Sequence, residues 1–437
     1  MPLPLNPAKE VRREFFAALR DVGFGLPRHL WAFTQRRARL REFATLRPAR
    51  LAAMPRQENI PPLKRVILSC GDASGETHAL RLLEHLQQRH PDLQVEGFGG
   101  ARLAAAGMKV WEPLADLNVM GFRDVLAQLP LFFRCVRRFA ESLSSFEPQA
   151  VLLVDYPGLN RHLLRIAARN GIPVVDFIAP QLWAWAPWRV TDFRRADRLL
   201  TILSFEKDWF ERRGAKAEFI GHPIGDSLAQ AADREAPAPA LDPDRTWVGL
   251  LPGSRKREVR ENLPVLLQAA ACLARRRPDL GFVLPHLRQD LWPLLDSILK
   301  PSQIEVVRAP GCFHRVLPRL QAAFVASGTA LLEVAGHGVP PVLVYGISSR
   351  LADWLSRHAL AVPRVGSLNL MAGQTLVPEH VGRHLDPELL AEDLLARLEG
   401  PVREAFLSAM EGMRPQFATP GAAQRACAAL EAAASPL

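Results

Sequence analysis

The stretch RVILSCGDASGE, Arg65 to Glu76, decides how the rest of the chain is read. Its first half is an apolar, partly β-branched run of strand length. Its second half sets two glycines, two acids and small side chains where a strand hands over to a helix-like segment. Such a turn is either an ordinary junction or a place where backbone comes close to a ligand. In both cases a buried strand running straight into a helix opens a βαβ unit, so the question is whether the pattern recurs.

It recurs through most of the 437 residues. After the strand at 65–69, apolar runs predict strands at 93–98, 150–154, 173–178, 198–202 and 217–220. Amphipathic stretches between them predict helices at 76–89, 120–144, 159–169 and 204–213. The Ala-, Pro- and Asp-rich segment 230–245 reads as a linker. A second series comes after it, with strands at 247–251, 281–285, 303–307, 322–326 and 341–345 and helices at 256–276, 328–337 and 348–360; the tail, 386–434, reads as helical. The expected fold is α/β: two doubly wound, Rossmann-like domains facing a central cleft at the carboxyl ends of their strands, plus a helical N-terminal extension. The expected boundaries are 1–60 for the extension, 61–230 and 246–415 for the domains, and 416–437 for a C-terminal helix with the option of crossing back to the first domain.

Composition fits a globular enzyme, with 48% hydrophobic and 23% charged residues. No uncharged stretch suits a membrane span, and no secretory leader is evident at the start. Five dispersed cysteines without a CxxC pair argue against a disulfide framework or a metal site, and fit a reducing compartment. The net charge of +10 is uneven: residues 1–60 hold twelve Lys and Arg against five Asp and Glu. The basic extension points to an anionic membrane surface or, on charge alone, to nucleic acid. Within it, Leu30, Trp31, Phe33, Leu40 and Phe43 alternate with arginines, as in a helix lying on a membrane or in an arm docked on the body.

Candidate chemistry gathers at strand ends. LPGSR (Leu251–Arg255) offers a tight turn, helix N–H groups and a planar guanidinium suited to phosphate, through Gly253, Ser254 and Arg255. Ser327, Gly328 and Thr329 repeat that logic, and Glu333, one helical turn on, suits a pair of ribose hydroxyls. Asp155 ends a VLLV run, where a carboxylate can take a proton from an attacking hydroxyl; an ordinary turn acid would look the same. The tryptophans of APQLWAWAPW (Ala179–Trp188) read as a packed corner or as a wall for a sugar or acyl chain. Residues 119–140, apolar and rimmed with arginine, read as a core helix or a greasy patch for a phosphorylated lipid.

Taken together, GDASGE, DYPGLN, GIPVVDFIAPQLWAWAPWRV, FIGHP, LPGSRKREV, ASGTALLEVAGHGVP and LNLMAGQTLVPE resemble, in order, the motifs of the lipid-A-disaccharide synthase family, GT-B glycosyltransferases. The resemblance implies an inverting, metal-independent and cofactor-free transfer of 2,3-diacylglucosamine from UDP. The acceptor would be 2,3-diacylglucosamine 1-phosphate, and the products a β-1,6-linked disaccharide 1-phosphate and UDP. It implies catalytic roles for Asp155, Arg255 and Asn369 (in LNLMAG). Substrate-binding roles fall to Asp72, Ser74, Gly75, Glu76, Gly253, Ser254, Ser327, Gly328, Thr329 and Glu333. The first domain would hold the acceptor and the second UDP. Implied surroundings are the cytoplasmic face of the inner membrane, with an anionic lipid surface and no nucleic acid as partner; a homodimer is left open. Gly158 and Leu159 depart from the family's pattern, which has an acid and an aromatic there. Two other readings stay open: a different GT-B UDP-sugar enzyme such as a UDP-N-acetylglucosamine 2-epimerase, and a non-catalytic nucleotide-sugar binder.

Overall fold

A computed structural model describes residues 6–54, 62–116, 129–229, 235–326, 328–358 and 360–435. They form two compact units. The first takes Met1–Ala38, Thr45–Pro223 and Gly421–Leu437; the second takes Arg39–Ala44 and Ile224–Pro420.

The first unit is built on a seven-stranded parallel sheet in the order β3-β2-β1-β4-β5-β6-β7. Its strands are β1 (Arg65–Ser69), β2 (Gln94–Phe98), β3 (Lys109–Glu112), β4 (Ala150–Val154), β5 (Val174–Phe177), β6 (Arg198–Thr201) and β7 (Ala217–Phe219). Strand β4, AVLLV, is buried along its whole length, as a central strand covered on both faces must be. The helices needed below are α1 (Pro7–Gly23), α2 (Gly25–Thr34), α3 (Arg36–Phe43), α4 (Ala73–Arg89), α5 (Ala101–Ala105), α6 (Leu129–Ser145) and α7 (Pro157–Arg169). One face of the sheet buries Val66, Leu68, Leu152, Val154 and Phe177 against Leu82, Leu83 and Leu86 of α4.

The second unit carries a six-stranded parallel sheet, order β10-β9-β8-β11-β12-β13. Its strands are β8 (Thr246–Leu251), β9 (Leu280–His286), β10 (Val306–Pro310), β11 (Ala322–Val325), β12 (Pro341–Gly346) and β13 (Glu379–Gly382). The helices that bear on the site are α8 (Lys256–Arg276), α9 (Thr329–Gly336) and α10 (Ser367–Ala372). Helix α8 packs Leu263, Leu266 and Leu273 on Val248, Leu250 and Phe282 of the sheet. The last helix, α11 (Ala422–Ala434), belongs to the first unit, where Ala426, Cys427 and Leu430 join the core beside α4.

Two strands escaped the sequence reading. β3 and β13 are four-residue edge strands, half-exposed and without alternation, so no periodicity marks them. The helix expected at 120–144 is described only as α6; residues 120–128 lie outside the described residues. The strand expected at 303–307 sits three residues later, at Val306–Pro310. Among the described residues no helix is long and apolar enough to cross a membrane.

Candidate active site

In each sheet the strand order runs outward in both directions from one neighbouring pair, β1/β4 in the first unit and β8/β11 in the second. Chain crossovers leave such a pair on opposite sides, so a crevice opens at its carboxyl end. The motifs picked out in the sequence end these four strands: GDASGE comes after β1, DYPGLN after β4, LPGSR after β8 and SGT after β11.

At the β1/β4 pair the turn is acidic. Asp72 caps α4, its Oδ1 accepting the Gly75 N–H at 2.6 Å. Glu76 is buried, and its Oε1 accepts the Arg102 and Leu103 N–H groups at 3.1 and 3.3 Å, capping α5. Gly100 lies so close that an added Cβ would stand 2.5 Å from that carboxylate. Both acids of GDASGE therefore hold helix ends; Ser74 is exposed and Gly75 buried. Gly71 is small for a reason in the other loop, since a Cβ there would meet the Tyr156 ring at 2.2 Å.

Asp155 and Tyr156 are consecutive non-glycine residues in the left-handed region, with φ of 49° and 51°. Holding them there costs roughly 1–3 kcal/mol each. The clamp is Asn160, fully buried, which donates to the Asp155 carbonyl oxygen at 2.5 Å while its own Oδ1 accepts the Ser69 hydroxyl at 2.7 Å. Asn160 thus ties the end of β1 to the end of β4. The twist leaves the Asp155 carboxylate with one hydrogen bond among the described residues, from the Tyr156 N–H at 2.8 Å. Burial, and then the charge of Asp72, pushes its pKa up to about 6 against that one stabilising bond. On β5, Asp176 is buried with no partner for its Oδ1 among the described residues; burial and the charge of Asp155 keep it protonated well above the usual carboxylate range.

At the β8/β11 pair the turn is cationic. Gly253 has φ 108°, and Arg255 stands just before α8. The Ser254 and Arg255 N–H groups reach Glu258 Oε2 at 2.9 and 3.2 Å, and the Arg255 guanidinium reaches Oε1 at 2.9 Å. Glu258 so occupies, as an internal anion, the N–H groups expected to meet phosphate. The Arg255 side chain is more than half exposed and can turn to a ligand. Gly328, φ 132°, opens α9; Gly328 and Thr329 are exposed, and Ser327 lies outside the described residues. Glu333 faces His314 Nε2 at 3.4 Å, and His314 Nδ1 pairs with Glu235 at 2.6 Å, so a Glu–His–Glu row orients it.

Asn369, expected in a catalytic role, is engaged by the protein itself. It is fully buried, its amide nitrogen donates to Val377 O and Glu379 Oε1, both at 2.7 Å, and its oxygen accepts the Leu376 and Val377 N–H groups. An amide offers two donors and two acceptor sites, and all four are taken by the protein itself. The tryptophan segment is mostly a packed corner: Trp183 is buried and donates to Glu206, while Trp185 stays partly exposed under Arg189.

Sequence reasoning missed Asn160, Asp176, Glu258 and the Glu235–His314 pair. Only Glu258 had a local signal, three residues beyond the first residue of the cap.

Two doubly wound parallel sheets, each with its motifs at the switch point, define the GT-B architecture. The solved UDP-N-acetylglucosamine 2-epimerase of Neisseria meningitidis, bound to UDP-GlcNAc, aligns with a TM-score of 0.52 at 14% identity, over 83% of this chain and 97% of that one. Acinetobacter baumannii MurG aligns with a TM-score of 0.52 at 14% identity, over 85% of this chain and all of its own. At such identities the likeness is one of fold. Sequence goes further: the profile of the lipid-A-disaccharide synthetase family matches residues 66–428. The lipid-A-disaccharide synthases of Myxococcus xanthus and Syntrophus aciditrophicus are 36% and 35% identical, over 84% and 83% of this chain and 96% of each of theirs. The chain belongs to the lipid-A-disaccharide synthetase family. That membership favours the transferase over the epimerase reading.

Proposed function

We propose that the enzyme transfers 2,3-diacylglucosamine from UDP to the 6-hydroxyl of 2,3-diacylglucosamine 1-phosphate. What carries the reading is the family match over residues 66–428, which spans all four switch-point loops. Asp155 is the base. With its pKa near 6 it is ionised at neutral pH, yet basic enough to take the hydroxyl proton as the oxygen attacks the anomeric carbon from the face opposite UDP. The bond from that carbon to the phosphate oxygen breaks, and its electron pair leaves with the diphosphate. Arg255 turns from Glu258 Oε1 to the diphosphate, and the N–H groups at Gly328 and Thr329, where α9 opens, share the charge. Glu333, steadied by His314, takes the ribose hydroxyls. Asp72 tunes Asp155, and Asn369 positions α10. Because donor and acceptor both carry acyl chains, the reaction runs at the cytoplasmic face of the inner membrane, with the protein bound peripherally.

The test is to incubate the purified protein with both lipids. Disaccharide 1-phosphate and UDP in equal amounts are expected. No product from the lipids, with interconversion of UDP-N-acetylglucosamine and its 2-epimer, would replace this reading with the epimerase one.

A further inference from the structure

Helix α1 is built inside out. A surface helix normally turns its acids to water and its apolar face to the core. Here Glu14 is 1% exposed and Glu10 5%, while Phe15, Phe16 and Leu19 are 46, 54 and 58% exposed. The acids point at an arginine-rich face of α7. Glu14 pairs with His162 at 2.7 Å, Arg165 at 3.1 Å and Arg169 at 2.7 Å. Asp21 pairs with Arg161 at 2.6 Å. Burial alone would raise the Glu14 pKa, but the hydrogen bonds from His162 and Arg169 hold it at about 2. The helix is therefore held to α7 by its charges, while it lies alongside α6 with the Phe15 and Phe133 ring centres 5.4 Å apart.

Docking by charge leaves the apolar side facing out, and α2 extends it: Phe24, Leu30, Trp31 and Phe33 are all exposed. A groove of about 670 Å³ runs along this side, lined by Val11, Phe15, Phe16 and Phe133 and edged by Arg12 and Arg137. Exposed Lys9, Arg12, Arg13 and Arg20 surround the aromatics. The three acids of α1 are taken up in ion pairs, and α2 has none. Glu141, at the groove's edge, is paired with Arg137 at 2.8 Å. Among the described residues the outward face is thus apolar and cationic, and each acid along it is already matched by an arginine or histidine. All of α1 and α2 precedes residue 66, where the family match begins.

We infer that the outward face of α1 and α2 docks the enzyme on an anionic lipid bilayer, seating Phe15, Phe16, Leu19 and Trp31 among the acyl chains and the arginines among the headgroup phosphates. The charge of the face selects an anionic surface over a neutral one, and its aromatic and arginine pattern fits the membrane interface. That the occupant is a bilayer rests in part on the reading of the substrates as lipids.

The full-length protein is sedimented with vesicles of phosphatidylglycerol and phosphatidylethanolamine, and with vesicles of phosphatidylcholine alone. Wild type is expected to bind the anionic vesicles only. Phe16→Ser/Leu19→Ser/Trp31→Ser, changed at exposed positions, is expected to bind about tenfold more weakly or worse. Arg12→Glu/Arg20→Glu is expected to lose about tenfold at low salt, shrinking as salt rises. Both variants should keep the wild-type melting midpoint and should form disaccharide from detergent-dispersed lipids at the wild-type rate. Equal vesicle binding by wild type and both variants overturns the inference. So does a wild-type dimer that the triple substitution splits without changing vesicle binding, since the face would then cover a second copy. If wild type binds vesicles through this face but makes no disaccharide, the reaction falls and the docking surface stands. If wild type makes disaccharide in detergent but binds no vesicles, the docking surface falls and the reaction stands.

Discussion

The two switch points share a topology and differ in sign. At β1/β4 the loops set Asp155 near Asp72 and the buried Asp176, and burial, then the charge of Asp72, keeps Asp155 basic. At β8/β11 the loops offer Arg255 and backbone N–H groups, held ready around Glu258. Doubly wound sheets fix where a ligand goes; the residues after the strands fix which charge it meets. One crevice presents carboxylates, and the other a guanidinium beside helix-end N–H groups.

Substitutions in the two crevices press on that contrast, in decreasing order of effect on turnover. Asp155→Asn is expected to lower kcat by about 10²–10⁴ while UDP binding stays unchanged, since a general base contributes that much. Wild-type activity should rise with pH through about 6 and then level off, because only the ionised carboxylate takes the proton. Asp72→Asn keeps a capping side chain but removes the charge, so that rising limb should move to lower pH. The same raised pKa carries a stability sign. A carboxyl that holds its proton more tightly when folded stabilises the fold below its unfolded pKa and loses that contribution as pH rises through about 6. Asp155→Asn should therefore be more stable than wild type at pH 8, by at most about 3 kcal/mol, read as a higher melting midpoint. An Asp155→Asn enzyme of full activity would dissolve the contrast at its acidic end.

Arg255→Ala is expected to cost about tenfold to a hundredfold in kcat/KM and to weaken UDP binding, the scale of a lost charged hydrogen bond. The Arg255 end of its ion pair with Glu258 is exposed, and the buried Glu258 keeps the Ser254 and Arg255 N–H groups, so stability should fall by no more than about 1 kcal/mol. Titration of UDP by calorimetry and a melting curve check both halves. Unchanged UDP affinity would take the diphosphate away from this loop.

Asn369→Ala is expected to act the other way round. It orphans the buried Val377 N–H and the part-buried Leu376 N–H and should lower stability by about 2–3 kcal/mol, read as a fall in the melting midpoint. The folded fraction should keep most of its kcat. An inactive variant that melts like wild type would return Asn369 to the chemistry.

Much of this was legible in the chain. The βαβ rhythm yields both sheets, because central parallel strands such as AVLLV are apolar throughout and long helices such as α8 repeat at 3.6 residues. The loops that matter are legible too, since each sits directly after an apolar run. The task of each loop side chain is not. Glu76 looks like a ligand acid and is a cap for α5, a helix 25 residues away in the chain. Asn160 looks like the end of a motif and clamps two strands. Asn369 looks catalytic and is saturated by residues 376–379. Each role is set by a partner that only the folded chain supplies. The inverted α1 hid for the same reason: its acids face inward only because α7 brings arginines to meet them.

The course of the chain through its two units has a consequence for biosynthesis. Helix α11 is made after every residue of the second unit, yet it lines the first unit's core, with Glu431 held by His90 at 2.9 Å and Arg425 bonded to the Ile220 carbonyl. On the ribosome the second unit has all its residues before the first has its final wall. A nascent chain stalled or clipped near residue 420 would leave the sheet's flank, with Leu82 and Leu86 along it, open to water and to chaperones.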